Sequence, residues 1–83
     1  MADNLHYVYI LQSLSEPQRF YVGLTEDLEG RLAEHNAGQS SHTSKYGPWR
    51  IETGVAFASK KKAIGFEMHL KSHAGRAFAG KHF

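Results

Sequence analysis

The chain has 83 residues, no cysteine, and a formal net charge of +2 from ten basic and eight acidic residues. That length suits one domain, residues 1–83, with a modest core. The missing cysteines exclude disulfides, thiolate chemistry and a cysteine-bound zinc. No apolar run reaches membrane-spanning length, and Met1-Ala2-Asp3-Asn4 opens no signal peptide, so a cytoplasmic protein with no membrane partner is expected. The small net charge hides an asymmetry. Residues 1–40 hold six acids and two bases, a net of −4, whereas residues 41–83 hold eight bases and two acids, a net of +6. A basic half fits a polyanion partner, although a solvated lysine face gives the same count.

Residues 6–14 read as a strand, with Tyr7, Tyr9 and Leu11 on one face and Val8 and Ile10 on the other. Apolar residues on both faces predict an inner strand. Ser15-Glu16-Pro17-Gln18 is turn-like, and residues 19–24 form a second strand, with Phe20, Val22 and Leu24 alternating against Arg19, Tyr21 and Gly23. The short connection predicts an antiparallel hairpin. Paired tyrosines on a hairpin are ordinary cross-strand packing, yet two phenols can also converge on one phosphate-sized site. Thr25 is the expected N-cap of a helix ending near Asn36, with Glu26, Asp27 and Glu29 in its first turn and Gly38 beyond its end. Arg31 and His35 stack at i, i+4 beside the Leu28/Leu32 stripe.

Residues 39–47 form a hydroxyl-rich polar loop carrying Lys45. A third strand follows, in which Trp49, Ile51, Val55 and Phe57 alternate with Arg50, Glu52, Gly54 and Ala56. Ser59 caps a helix opening on Lys60-Lys61-Lys62, three cations that oppose the helix dipole and suit a docked anion. Ala63, Phe66, Glu67 and Leu70 share one face of it. Glu67 is thus a carboxylate in an apolar stripe, needing a metal or partner unless it sits at the edge and pairs with Lys71. Gly75 ends this helix, and residues 76–83 read as a short final one. The expected fold is α+β, a three-stranded antiparallel sheet flanked by helices in the order β-β-α-β-α-α. Its core is expected to come mostly from Trp49, Ile51, Val55, Phe57, Leu28, Leu32, Phe66 and Leu70.

Two phenols, a guanidinium, an imidazole and one semi-buried carboxylate make an inventory for phosphodiester cleavage. With these residues in this order, the chain resembles the GIY-YIG nuclease superfamily, in particular its small stand-alone bacterial members. Tyr7-Val8-Tyr9 looks like the first motif and Tyr21-Val22-Gly23 like the second. Asp27-Leu28-Glu29-Gly30-Arg31-Leu32 with His35-Asn36 looks like the arginine helix. His42-Thr43-Ser44-Lys45-Tyr46-Gly47-Pro48-Trp49 is similar to the loop and strand of those small members, and Phe66-Glu67 through Phe78 to their C-terminal half.

The resemblance implies a metal-dependent DNA endonuclease, selective for structure rather than sequence and serving DNA repair or recombination. Tyr9 would hold phosphate or the attacking water, Tyr21 would be the general base, Arg31 would bind the scissile phosphate, and His35 would assist by hydrogen bond or proton relay. Glu67 would be the lone protein carboxylate on one Mg²⁺ or Mn²⁺. Gly23 would permit close backbone approach, and Lys45, Lys60, Lys61 and Arg76 would contact DNA. Three departures from the family pattern stand out. Tyr7 replaces the opening glycine, Leu24 follows the second motif where some relatives have lysine, and no asparagine follows Asn36, leaving His82 as the substitute. A phenol base ionises near pH 10, so without that lysine the metal, Arg31 or Lys45 must favour the phenolate. Targeting is left to shape or to a protein partner. The alternatives are a non-catalytic nucleic-acid module of the same fold and a protein-interaction domain whose tyrosines only pack.

Overall fold

The computed structural model describes residues 4–39 and 43–72. The elements in chain order are β1 (His6–Ser13), β2 (Phe20–Thr25), α1 (Leu28–Asn36), a single 3-10 turn (Ser44–Tyr46), β3 (Trp49–Phe57) and α2 (Lys60–Lys71). The sheet is antiparallel in the order β2-β1-β3. β1 is therefore the inner strand, as its two apolar faces predict. The order β-β-α-β-α matches the expectation; the expected last helix lies outside the described residues.

Alternation along β1 divides the molecule. Val8 and Ile10 pack with Ala63 and Leu70 of α2, joined by Val22, Leu24, Phe57 and Phe66. Tyr9 and Leu11 pack with Trp49 on the other face, joined by Tyr21, Leu28, Leu32, Tyr46 and Ile51. The two helices thus cover opposite faces of the sheet. The core differs from the expected set, because β1 itself supplies Val8, Tyr9, Ile10 and Leu11, all at most 3% exposed. Ile51, Phe57, Leu28, Leu32 and Phe66 are only half-buried flanks.

The unbroken alternation read along β3 is also corrected. Ile10 pairs with Thr53 but Leu11 pairs with Ile51, so Glu52 is an extra residue in a β-bulge. The bulge reverses the side-chain parity. Trp49 and Ile51 join the α1 face, while Phe57 joins the α2 face, where its ring meets Phe66 at a centroid distance of 5.5 Å.

The N-cap of α1 is Asp27 rather than Thr25. Asp27 is extended (φ −136°, ψ 92°) and accepts the Gly30 N–H on Oδ1 at 3.1 Å. Thr25 Oγ1 instead accepts the Asp27 N–H at 3.0 Å, a local turn that sets up the cap. Gly38 follows the C-cap at φ +78°, where a side chain would be strained. Ser59 caps α2 as expected, accepting the Lys62 N–H at 3.2 Å, but the helix ends at Lys71, where Ser72 turns extended (φ −72°, ψ 162°), short of the expected Gly75.

Candidate active site

The register of the hairpin places Tyr9 opposite Gly23 and Leu11 opposite Tyr21. Tyr9 and Tyr21 are therefore diagonal neighbours on the α1 face, with ring centroids 6.3 Å apart. Gly23 is required here, since a Cβ at that position would overlap the Tyr9 phenol. The glycine of the second motif thereby seats the tyrosine of the first.

Helix α1 lays Arg31 and His35 over the two phenols. His35 is 1% exposed, its ring 4.9 Å from that of Tyr21 and 6.0 Å from that of Tyr9. His35 Nε2 lies 3.0 Å from the Tyr9 oxygen, and His35 Nδ1 lies 2.7 Å from Thr43 Oγ1. Arg31 bonds Glu34 Oε1 through Nη1 at 2.6 Å, and its charge acts on the Tyr9 phenol. The structure thus brings Tyr9, Tyr21, Arg31 and His35 into one cluster.

The electrostatics follow from burial and one cation. Burial pushes the Tyr9 phenol above its ordinary value of 10.0; Arg31 pulls the other way, while Tyr21 and Glu67 push with burial. Burial, then the charge of Arg31, lowers His35 below its ordinary 6.5, with Glu34 opposing. Arg31 is raised by its bonds to Glu34 and Tyr9 and stays charged at any working pH. Near neutrality the cluster holds a neutral phenol, a neutral imidazole and a fixed cation. Among the described residues the Tyr21 hydroxyl takes part in no protein hydrogen bond.

Glu67 arrives from the other side. Its side chain is 17% exposed and pairs with Lys71 at 3.0 Å, the ordinary i, i+4 contact. Its charge is felt at Tyr9, but no hydrogen bond joins it to the cluster. Among the described residues no group of three or more His, Asp or Glu could enclose a metal ion. A mostly buried, hard oxygen ligand near a phenol does suit one Mg²⁺ or Mn²⁺ that keeps most of its waters. Such an ion would compete with the Lys71 ammonium.

The proposed DNA contacts are dispersed. Lys45 is exposed on the 3-10 turn, close to the cluster in sequence through Thr43 and Tyr46. Lys60 and Lys61 are exposed at the start of α2, the helix on the far face. Arg76 and His82 lie outside the described residues. Beside Tyr21 a groove of about 340 Å³ runs past Arg19, Phe20, Thr43 and Tyr46. Arg19 lies over the Tyr46 ring at 4.0 Å, and Phe20 is 48% exposed.

Two residues escaped the sequence reading. Thr43 was one hydroxyl among several in a polar loop, and nothing local marks the one that meets His35. Asn36 accepts the Trp49 N–H on Oδ1 at 2.6 Å and donates from Nδ2 to the Trp49 carbonyl at 3.0 Å. Its amide acts as a piece of strand, tying the end of α1 to the start of β3. Its place right after His35 in the arginine helix was the available signal.

Comparison with known proteins gives the family and the fold. The family model described as the GIY-YIG catalytic domain matches residues 5–80. A UPF0213 protein of Lacticaseibacillus paracasei is 39% identical over 72 residues, covering 86% of this chain and 79% of that protein. A structure-specific endonuclease subunit SLX1 homolog of Giardia intestinalis is 38% identical over 65 residues, which cover 74% of this chain but only 18% of that protein. The solution NMR structure of the UPF0213 protein BH0048 from Bacillus halodurans superposes with a TM-score of 0.55 at 31% identity, covering 93% of this chain and 83% of that one. The chain belongs to the GIY-YIG catalytic domain family.

Proposed function

We propose that the protein is a metal-dependent DNA endonuclease that hydrolyses phosphodiesters at branched, flapped or unpaired sites. The observation that carries this reading is the buried contact of Tyr9 with His35, roofed by the permanently charged Arg31. A packing-only role for the tyrosines does not need a buried imidazole bonded to one phenol oxygen beside a permanent cation.

Arg31 binds the scissile phosphate and stabilises the charge that grows on it, an effect worth about 10²–10³-fold for one well-placed donor. Tyr9 and Tyr21 present their oxygens to the phosphate and the attacking water. Glu67 would hold one Mg²⁺ or Mn²⁺, which when bound polarises the phosphate and favours hydroxide over water. Lys45, Lys60, Lys61 and Arg76 supply salt-sensitive phosphate contacts. The SLX1-type relatives are named as subunits of structure-specific endonucleases, which supports a role in DNA repair and a protein partner for targeting. Among the described residues no helix is long and apolar enough to cross a membrane, in keeping with a cytoplasmic site of action.

The Glu67–Lys71 ion pair favours one alternative, a non-catalytic nucleic-acid module in which Glu67 is a surface carboxylate. Labelled flapped and branched DNAs, incubated with Mg²⁺ or Mn²⁺, separate the two. The endonuclease cuts, and Glu67→Gln stops the cutting while DNA stays bound. Salt-sensitive binding by the wild type with no cutting, or full activity in Glu67→Gln, supports the alternative or removes Glu67 from the metal.

A further inference from the structure

Behind Tyr9 runs a chain of polar groups that phosphate binding alone does not explain. Thr43 Oγ1 lies 2.7 Å from His35 Nδ1, and His35 Nε2 lies 3.0 Å from the Tyr9 oxygen. Thr43 and His35 are each 1% exposed and Tyr9 is 2% exposed. Thr43 and the neighbour of His35 are both held to Trp49. The Trp49 Nε1–H donates to the Thr43 carbonyl at 2.8 Å, and Asn36, next to His35, clamps the Trp49 backbone at 2.6 and 3.0 Å.

Which ring nitrogen carries the hydrogen follows from the partners. The Arg31 guanidinium, the cation that acts on the Tyr9 phenol, can only donate. If Nε2 also donated, the phenol's own hydrogen would have no acceptor among the described residues, at the full cost of a buried unpaired group. With the hydrogen on Nδ1, Tyr9 donates to Nε2 and Nδ1–H donates to Thr43 Oγ1. The Thr43 hydrogen is then free to turn toward the groove that Thr43 lines with Tyr21 and Tyr46.

We infer that Thr43 is a positioning residue for proton transfer, holding His35 in the tautomer whose Nε2 accepts the Tyr9 phenolic proton. The inference rests on the endonuclease reading and moves the proton-accepting role from Tyr21 to Tyr9. As water attacks phosphorus, its O–H bond breaks and the proton passes to the Tyr9 oxygen while the Tyr9 proton passes to His35 Nε2. The new P–O bond forms as the bond to the leaving oxygen breaks; that oxygen departs with the electron pair and takes a proton from solvent. The imidazolium returns its proton through Tyr9 to solvent. No phenolate accumulates, so the missing lysine after the second motif costs nothing. The groups facing His35 are Arg31 and Glu34 from α1, Tyr9 from β1, Tyr21 from β2 and Thr43 from the loop; burial first, and then the Arg31 charge against Glu34, keep it neutral near pH 7.

Nitrogen-15 spectra of the histidine-labelled full chain test this without any substrate. The expected result is a His35 ring protonated at Nδ1 and bare at Nε2, a bias kept in Thr43→Ser and lost in Thr43→Val. A wild-type ring protonated at Nε2, or an unchanged ring in Thr43→Val, overturns the assignment. In cleavage of labelled branched DNA, Thr43→Val should fall about 10²-fold with a shifted acid limb, and Thr43→Ser should recover most of the rate. Equal rates and pH profiles for the wild type and Thr43→Val also overturn it. If Thr43→Val does not fold, the wild-type and Thr43→Ser spectra decide. If the wild type cuts no DNA, the endonuclease reading fails while the spectra still judge Thr43.

Discussion

The two faces of the sheet are built from the same strand by opposite rules. On the α2 face, Val8 and Ile10 meet Ala63, Leu70 and Phe66, an apolar layer without a buried polar side chain among its core members. On the α1 face, the same depth of burial holds Tyr9, His35 and Thr43, each satisfied by hydrogen bonds. Burial there raises one group and lowers another instead of only excluding water from hydrocarbon. Because neighbours along β1 point to opposite faces, the chain can change one layer with limited effect on the other. The α2 face holds the fold together, with Glu67 at its margin as its proposed contribution to the site, and the α1 face puts its burial to chemical use.

That division predicts distinct responses to substitution. Leu70→Ala should cost about 2–5 kcal/mol of stability, since Leu70 is 1% exposed in the apolar layer. Cleavage per folded molecule should stay near the wild-type value. A denaturant titration beside a cleavage assay checks both, and a selective loss of activity would break the separation of faces. Gly23→Ala should show the reverse. Its Cβ displaces the Tyr9 phenol, and a misplacement of that order costs about 10²-fold in rate. Single-turnover rates read at a temperature where the variant remains folded measure it.

The smallest effect is a pH dependence. The folded pKa of His35 lies below the unfolded value of 6.5, so the unfolded chain binds the proton more readily. The contribution of His35 to stability is complete above about pH 6.5 and is lost as pH falls from there through the folded pKa. Denaturation midpoints between pH 7 and pH 5 should decline in the wild type and decline less in His35→Gln. Parallel declines in both would place the titration elsewhere.

Much of this was legible because the informative patterns are local. Alternation marked β1 as central, Gly38 and Ser59 each bounded one end of a helix, and the short motifs at Tyr9, Tyr21 and Arg31–His35 each lie within one element. What was not legible depended on partners far along the chain. The bulge at Glu52 exists only as a register between β1 and β3, so the apolar run of β3 read as one face when it serves two. Thr25 and Asp27 are both competent caps, and the backbone of Asp27 decides between them. Thr43 is one of several loop hydroxyls until a buried imidazole selects it. Glu67 remained ambiguous in sequence, and its ion pair with Lys71 shows why, since the ordinary helical contact and a metal site use the same carboxylate.

The central claim is that the α1 face cleaves phosphodiesters around the Arg31 cation. Its most direct test is single-turnover cutting of a labelled branched DNA with Mn²⁺ by the wild type and Arg31→Ala, with unfolding curves for both. The account predicts metal-dependent cutting by the wild type and a loss of about 10²-fold or more in an Arg31→Ala protein that folds normally. Equal cutting by the two proteins would contradict it.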